Sequence, residues 1–173
     1  MFIKTRDGKT EKVNFDRIRE KIESFTYGLN TNYVDIDVVS QKTIQGFYDG
    51  ITTEEVDRLS AEVYAYMAST HPDYSTLAAR ICVSALHKKT SDSFLEVVST
   101  LYNYTDSRGK NTPLVSDELF KLATKFESEI QSEMNYYRDF QYDYFGFKTL
   151  ERSYLLKVHG EIVERPQHML MRV

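Results

Sequence analysis

"FIKTRDGKTEKVNFDRI", residues 2 to 18, sets two short extended runs around Asp7-Gly8 and then changes period. Phe2, Ile3 and Thr5 stand before the turn and Val13 after it, and Asp-Gly supplies the positive φ values that a tight hairpin demands. From Phe15 onward, apolar residues recur at Ile18, Ile22 and Phe25, which is helical spacing. Asn14 or Asp16 is placed to cap that helix by accepting from its free N–H groups. A β-hairpin running into a helix is therefore the first expectation. Its charge sets it apart: through Lys21, seven Lys/Arg face four Asp/Glu, a local +3, in a chain of net charge -4. The remainder thus carries -7, a pattern that suits a local anionic ligand better than nucleic acid, which calls for a basic domain.

Outward from the hairpin the pattern turns helical. The first helix is expected to end near Gly28 and Asn30, and a second to run from about Asp37 to Tyr48 and stop at Gly50. "TTEEVDRLSAEVYAYM" opens with Thr52 and Glu55 in capping-box spacing and places Val56, Leu59, Val63, Tyr66 and Met67 on one face. "HPDY" restarts the chain with Pro72 in a helical first turn, and Leu77, Ile81 and Ala85 line the core side of a fourth helix to about Lys89. A fifth helix is expected near Ser93 to Tyr104, followed by the turn-rich "TDSRGKNTP" as the linker candidate. A sixth carries Leu119, Leu122, Phe126 and Ile130, and a second hairpin is expected about His159-Gly160. "RPQHMLMRV" opens an apolar helix with Pro166 in its first turn, where Met169 and Met171 are read as core residues.

The composition is that of a soluble globular chain: 173 residues, 41% hydrophobic and 28% charged. No apolar run suits a signal peptide or membrane span, so a cytoplasmic protein with no membrane and no nucleic-acid partner is expected. Cys82, the single cysteine, permits no intrachain disulfide and is read as a core residue; His71, His87, His159 and His168 are too scattered for a metal motif. A nucleoside triphosphate needs cations and N–H donors at its phosphates and selective contacts at its base. Arg6, Lys9 and Lys12 could supply the first, Glu11 and Asn14 the second, and the helix start near Phe15 adds a favourable dipole. The residues alone leave a solvated hairpin without ligand equally open, because charged strands also blunt sheet edges.

A resemblance carries the reading further. "IKTRDGKTEKVNFDRI", "YDGITTEEVD" and "HPDYSTLAARICVSALHKK" together resemble the ATP-cone, the regulatory nucleotide-binding domain at the front of ribonucleotide reductase large chains. "TLYNYT", "YRDFQYDYFGFKTLERSYLLK" and "ERPQHMLMRV" resemble the helical segment that follows the cone in the eukaryotic-type class I large subunit. The resemblance takes in essentially the whole chain. It implies a mainly α fold: residues 1–90 as an ATP-cone, a β-hairpin with a four-helix bundle, and residues 91–173 as an incomplete, mostly helical segment with a small β-hairpin. "FGFKTLERSYLL" argues against the anaerobic glycyl-radical reductase, and a single cysteine argues against the cone-bearing repressors that carry paired Cys-x-x-Cys motifs.

The resemblance also implies a site. Arg6 would hold the triphosphate, while Thr5 stands where the family usually has lysine; Lys4 lies one position earlier, on the opposite face of a strand. Glu11, Lys12, Val13, Asn14, Phe15, Asp16 and Arg17 match the stretch that wraps base and phosphates, Ile18 would line the adenine slot, and Lys88 matches a phosphate-contacting lysine. Thr53 and Asp57, at i and i+4, match positions that contact base or ribose and sense ATP against dATP. Apart from the family, Thr53 reads as a helix-start residue, Asp57 as an exposed charge paired with Lys or Arg, and Lys88 as a C-terminal helix cation. Tyr136-Tyr137 is read as packing rather than a radical relay.

The expected effector is ATP or dATP with Mg2+. The expected partners are the remainder of a reductase large subunit, in the same or a separate chain, the reductase small subunit, and further copies of the chain when dATP binds. Family catalysis resembles thiyl-radical chemistry in an α/β barrel with a redox cysteine pair. With Cys82 alone, no catalytic residue is assigned, and the chain by itself is expected to be inactive, an N-terminal portion of a longer or split protein. The alternative is a degenerate cone that serves as a structural or interaction module.

Overall fold

The opening hairpin forms as expected: β1 (Phe2–Lys4) pairs antiparallel with β2 (Thr10–Lys12), with Phe2 opposite Lys12 and Lys4 opposite Thr10. The structure, a computed structural model, describes residues 1–173. Gly8 adopts φ +81°, and its N–H donates to the Thr5 carbonyl at 3.0 Å. A third strand, β3 (Ile51–Thr52), was not expected; it joins parallel to β1 and gives the order β2-β1-β3. Two residues are too few to show a period. This strand exists through its neighbours: Gly50 N–H donates to Phe2 O at 2.8 Å, and Phe2 N–H donates to Asp49 Oδ1 at 2.7 Å.

Helix α1 (Phe15–Glu23) is capped by Asn14, whose side chain accepts from the Arg17 N–H at 3.1 Å. It stops short of Gly28 because side chains terminate it: Ser24 Oγ donates to Lys21 O at 2.6 Å and Thr26 Oγ1 to Glu23 O at 2.8 Å. Helix α2 (Ile36–Gln45) begins on an Asp35 cap and ends at Gly46, ahead of the expected Tyr48, so that Phe47 can leave the helix and bury with Val13, Ile51 and Val56. Helix α3 (Thr53–Met67) starts on the expected capping box, Thr52 with Glu55. Its buried stripe is rotated from the expected one, running through Val56, Asp57, Ser60, Ala61, Tyr64 and Met67, while Tyr66 is 82% exposed. Counting apolar residues misses this face because two of its members are polar and satisfied: Ser60 Oγ donates to Val56 O at 2.7 Å, and Asp57 is paired with cations. Helix α4 (Asp73–His87) buries Tyr74, Leu77, Ala78 and Ile81 against Ile22, Val34, Val39 and Tyr64.

The later helices are α5 (Phe94–Tyr102), α6 (Asp117–Lys125), α7 (Glu127–Glu133), α8 (Tyr144–Ser153) and α9 (Pro166–Arg172), with a 3-10 turn at Tyr136–Gln141. The fold is thus mainly α. Strands β4 (Lys157–Val158) and β5 (Glu161–Ile162) form the second hairpin where His159 and Gly160 take positive φ. The expected sixth helix is broken at Phe126 (φ -115°, ψ 31°), and Leu122 and Phe126 lie exposed while Ala123 is buried. No helix is long and apolar enough to cross a membrane.

The chain divides into two units, Met1–Ala85 with Gln141–Lys148, and Leu86–Phe140 with Thr149–Val173. "TDSRGKNTP" lies inside the second unit and is not a linker: Thr105 bridges to Asn111, and Asp106 Oδ1 accepts from the N–H groups of Arg108 and Lys110 at 2.8 and 3.0 Å. That unit is knit by Arg165, which donates to Thr90 O at 2.7 Å, His87 O at 3.0 Å and Thr90 Oγ1 at 3.0 Å, with its guanidinium 4.6 Å from the Tyr136 ring centre. Tyr136 packs as expected, but Tyr137 is 84% exposed and does not. Met169 is half-buried, and Met171, expected in a core, is exposed.

The rotated stripe of α3 is directly testable by urea denaturation. Tyr64→Ala is expected to cost about 3–5 kcal/mol, the range for emptying a buried aromatic site, and Tyr66→Ala to stay within about 0.5 kcal/mol. Equal losses would restore the face expected from apolar spacing.

Candidate functional site

Because β3 runs parallel to β1 and passes without a break into α3, the register that sets Thr52 opposite Lys4 delivers the first turns of α3 beside the hairpin turn. There Asp57 is buried to 4% exposure. Arg6, from the hairpin turn, places Nη2 3.4 Å from Asp57 Oδ2, and Lys21, from the last turn of α1, donates from Nζ to Asp57 Oδ1. A carboxylate removed from water needs such partners, since unpaired it would neutralise or expel itself from the interior. Both cations remain about one-third exposed, at 33% and 36%. The trio carries +1, so the cluster that satisfies Asp57 still faces solvent with positive charge.

The start of α3 is held rigidly. Glu55 Oε2 accepts from the Thr52 N–H and hydroxyl, each at 2.9 Å, and Tyr48 OH donates to Oε1 at 2.7 Å. The Thr52 N–H first, then the Tyr48 hydroxyl, hold the Glu55 carboxyl down from an ordinary 4.5 to about 2. Thr53, half-buried in the first turn, lies one helical turn from Asp57.

The other expected site residues spread along the hairpin and α1. Thr5 Oγ1 is turned inward on its own loop, within reach of Asp7 Oδ1 and 3.0 Å from Lys9 O, and Lys9 Nζ lies 3.0 Å from Asp7 Oδ2. The Thr5 hydroxyl and then Lys9 hold the Asp7 carboxyl below its usual range. Lys12 is exposed at the end of β2, and Glu11 and Arg17 face each other at 3.9 Å on the surface. Val13 is a core residue, its N–H donating to Met1 O at 3.2 Å. Asn14 spends its side-chain oxygen on the α1 cap, leaving its amide N–H groups for any base contact. Phe15 and Asp16 are exposed at the start of α1, and Ile18 is half-buried where the two hydrophobic clusters of the first unit meet. Lys88 is exposed and belongs to the second unit.

Two departures stand out. Asp57 is not an exposed charge, although it does pair with Arg and Lys. Lys21 joins the site unannounced: its partner lies 36 positions away, and nothing local separates it from the other basic residues of α1.

Comparison with known proteins gives matches in both parts of the chain. Residues 1–89 match the model of the ATP cone domain, and residues 140–173 match that of the ribonucleotide reductase all-alpha domain. The chain is 51% identical to the ribonucleoside-diphosphate reductase large chain of Neurospora crassa, over 100% of this chain and 19% of that protein. It is 49% identical to large chain 2 of Saccharomyces cerevisiae, covering 100% of this chain and 20% of that one. With the Vaccinia virus large subunit the identity is 50%, over 100% and 23% respectively. The chain thus spans about a fifth of the length of the curated relatives it matches.

The Glu55 contacts predict a pH signature. Its folded pKa lies below the unfolded value, so its contribution to stability is complete above pH 4.5 and is lost as pH falls from 4.5 towards 2. Wild-type urea midpoints are therefore expected to fall more steeply over that window than those of Glu55→Gln. Parallel profiles would show that the carboxylate contributes nothing to the cap.

Proposed function

From the premise that the chain belongs to the ATP cone family, matched over residues 1–89, we propose that its first unit binds ATP or dATP as an allosteric effector at the hairpin, α1 and the start of α3. The observation that carries this reading is the buried Asp57 held between Arg6 of the hairpin turn and Lys21 of α1. Arg6, Lys12 and Arg17 offer the charge a triphosphate needs, and the α1 N-terminus adds its dipole. Glu11 and Asn14 serve the base, Val13, Phe15, Asp16 and Ile18 shape its slot, and Thr53 with Asp57 faces the ribose. Thr5 contributes its backbone in place of the family's lysine. The chain brings no three His, Cys, Asp or Glu side chains together for a metal, so Mg2+ enters with the phosphate oxygens.

ATP and dATP differ by one hydroxyl. Such a ligand pair can switch a protein only through different free energies for its two states, with coupling of about 1–3 kcal/mol in typical cases. In this reading residues 1–90 are the regulatory domain and 91–173 open the helical part of a ribonucleoside-diphosphate reductase large chain that makes deoxyribonucleotides for DNA replication in the cytoplasm. The barrel and redox cysteines come from the rest of that chain, the small subunit completes the enzyme, and dATP drives oligomers. A second reading, a cone kept only as an interaction module, is favoured by Thr5, whose side chain is folded onto its own turn and offers no cation.

Calorimetric titration separates the two. Binding of ATP and dATP below about millimolar, the −4 kcal/mol level, supports the effector site, and its absence favours the module. Arg6→Ala is expected to weaken both triphosphates by about tenfold or more and adenosine far less, the mark of a lost charge-assisted phosphate contact. Asp57→Asn should move the ratio of ATP to dATP affinity towards one; equal weakening of both would remove Asp57 from discrimination.

A further inference from the structure

Residues 141–148 belong with Met1–Ala85 to the first unit, although they lie within the stretch matched to the ribonucleotide reductase all-alpha domain, residues 140–173. The ATP cone match ends at residue 89. Two contacts seat the segment there. Helix α8 begins at Tyr144, so the Tyr144 N–H is one of the first-turn donors that no carbonyl of its own helix can reach. Asp143 caps this start, its Oδ1 accepting from the Gly146 N–H at 2.7 Å, and the Tyr144 N–H donates to Ser75 Oγ, in the first turn of α4, at 3.1 Å. That turn is itself fixed: Asp73 Oδ2 accepts from the Asn30 N–H at 2.7 Å, and Tyr74 OH donates to Tyr33 O at 3.0 Å. The half-buried Tyr144 side chain packs against the hydrophobic cluster that joins Ile22 of α1, Ala61 and Tyr64 of α3, and Leu77 and Ile81 of α4. One core therefore seats Tyr144 and holds together α1 and α3, the helices that carry Arg17, Ile18, Thr53 and Asp57.

We propose that residues 141–148 are a working part of the effector-binding unit: seated on α4, they open and close with that unit, and nucleotide bound at the hairpin, α1 and α3 tightens their seat. The inference rests on the nucleotide-binding reading above and adds to it a surface, outside residues 1–89, on which the effector acts. A ligand that binds only the folded unit suppresses every opening that dissolves the unit, by a factor of 1 + [L]/Kd. It leaves untouched a segment that lifts off by itself. The packing puts 141–148 in the first class. Lifting it off alone would expose Phe147, which is fully buried, and uncover part of the cluster that α1 and α3 share, so the segment has no inexpensive opening of its own.

The test is amide hydrogen exchange of the 173-residue chain, read residue by residue by NMR, without nucleotide and with ATP at about a hundred times its calorimetric Kd. The Tyr144 and Phe147 amides are expected to slow by about a hundredfold, in step with Ala61 and Tyr64 of α3, and the amides of α6, in the second unit, by less than about threefold. Ser75→Ala is expected to speed exchange at Tyr144 by about threefold or more, the scale of one lost hydrogen bond, and Ser75→Thr to restore it. If ATP binds and Tyr144 and Phe147 do not slow, or α6 slows equally, the inference is overturned while the effector site stands. An unchanged Tyr144 amide in Ser75→Ala removes the seat on α4 and overturns the inference in the same way. A wild-type chain that binds neither ATP nor dATP overturns the nucleotide-binding reading itself, and the inference with it.

Discussion

A carboxylate buried among helices cannot be left to water, and the first unit is arranged around meeting that demand at Asp57. Satisfying it takes one cation from the hairpin turn and one from the end of α1, so three elements distant in sequence must converge on one side chain. The pairing is weak evidence for stability, because desolvation offsets much of the Coulomb gain. Its value lies in geometry. It fixes where positive charge sits on the surface.

The convergence is built by means that have no charge in them. Parallel pairing of β3 with β1 brings the capped start of α3 against the hairpin, and Val13, Phe47, Ile51 and Val56 fill the space beneath. Ile18 touches both clusters of the unit, so α1 is oriented by the same core that seats α3. The Thr52–Glu55 box, backed by Tyr48, stiffens the turn from which Thr53 and Asp57 project. The pairing of Asp57 and the packing of the core are thus set by one register, and a slip of β3 by one residue would remove Asp57 from its partners.

The second unit solves a related problem with uncharged acceptors. Arg165 is buried and finds carbonyls of His87 and Thr90 and the face of Tyr136 instead of a carboxylate, and burial holds its pKa below the ordinary value. His168, also buried, accepts or donates through Tyr136 OH at 2.8 Å and is pushed down to about 4, first by desolvation and then by Arg165. That neutral imidazole and the guanidinium beside it fasten α9 to the 3-10 turn within this unit.

Local signals in the sequence determined the local structure: Asp7-Gly8 for the turn, Thr52 with Glu55 for a helix start, His159-Gly160 for the second hairpin, and the motifs that mark the cone. Each is a few adjacent residues whose conformational preferences act over one turn of chain. Tertiary structure alone decided the rest. The two-residue strand β3, the early ends of α1 and α2, the burial of Tyr64 in place of Tyr66, and the placing of Lys21 on Asp57 all depend on partners tens of residues away. No periodicity records such a partner, because a polar residue that finds its counter-charge in the core looks, along the chain, the same as one left in water.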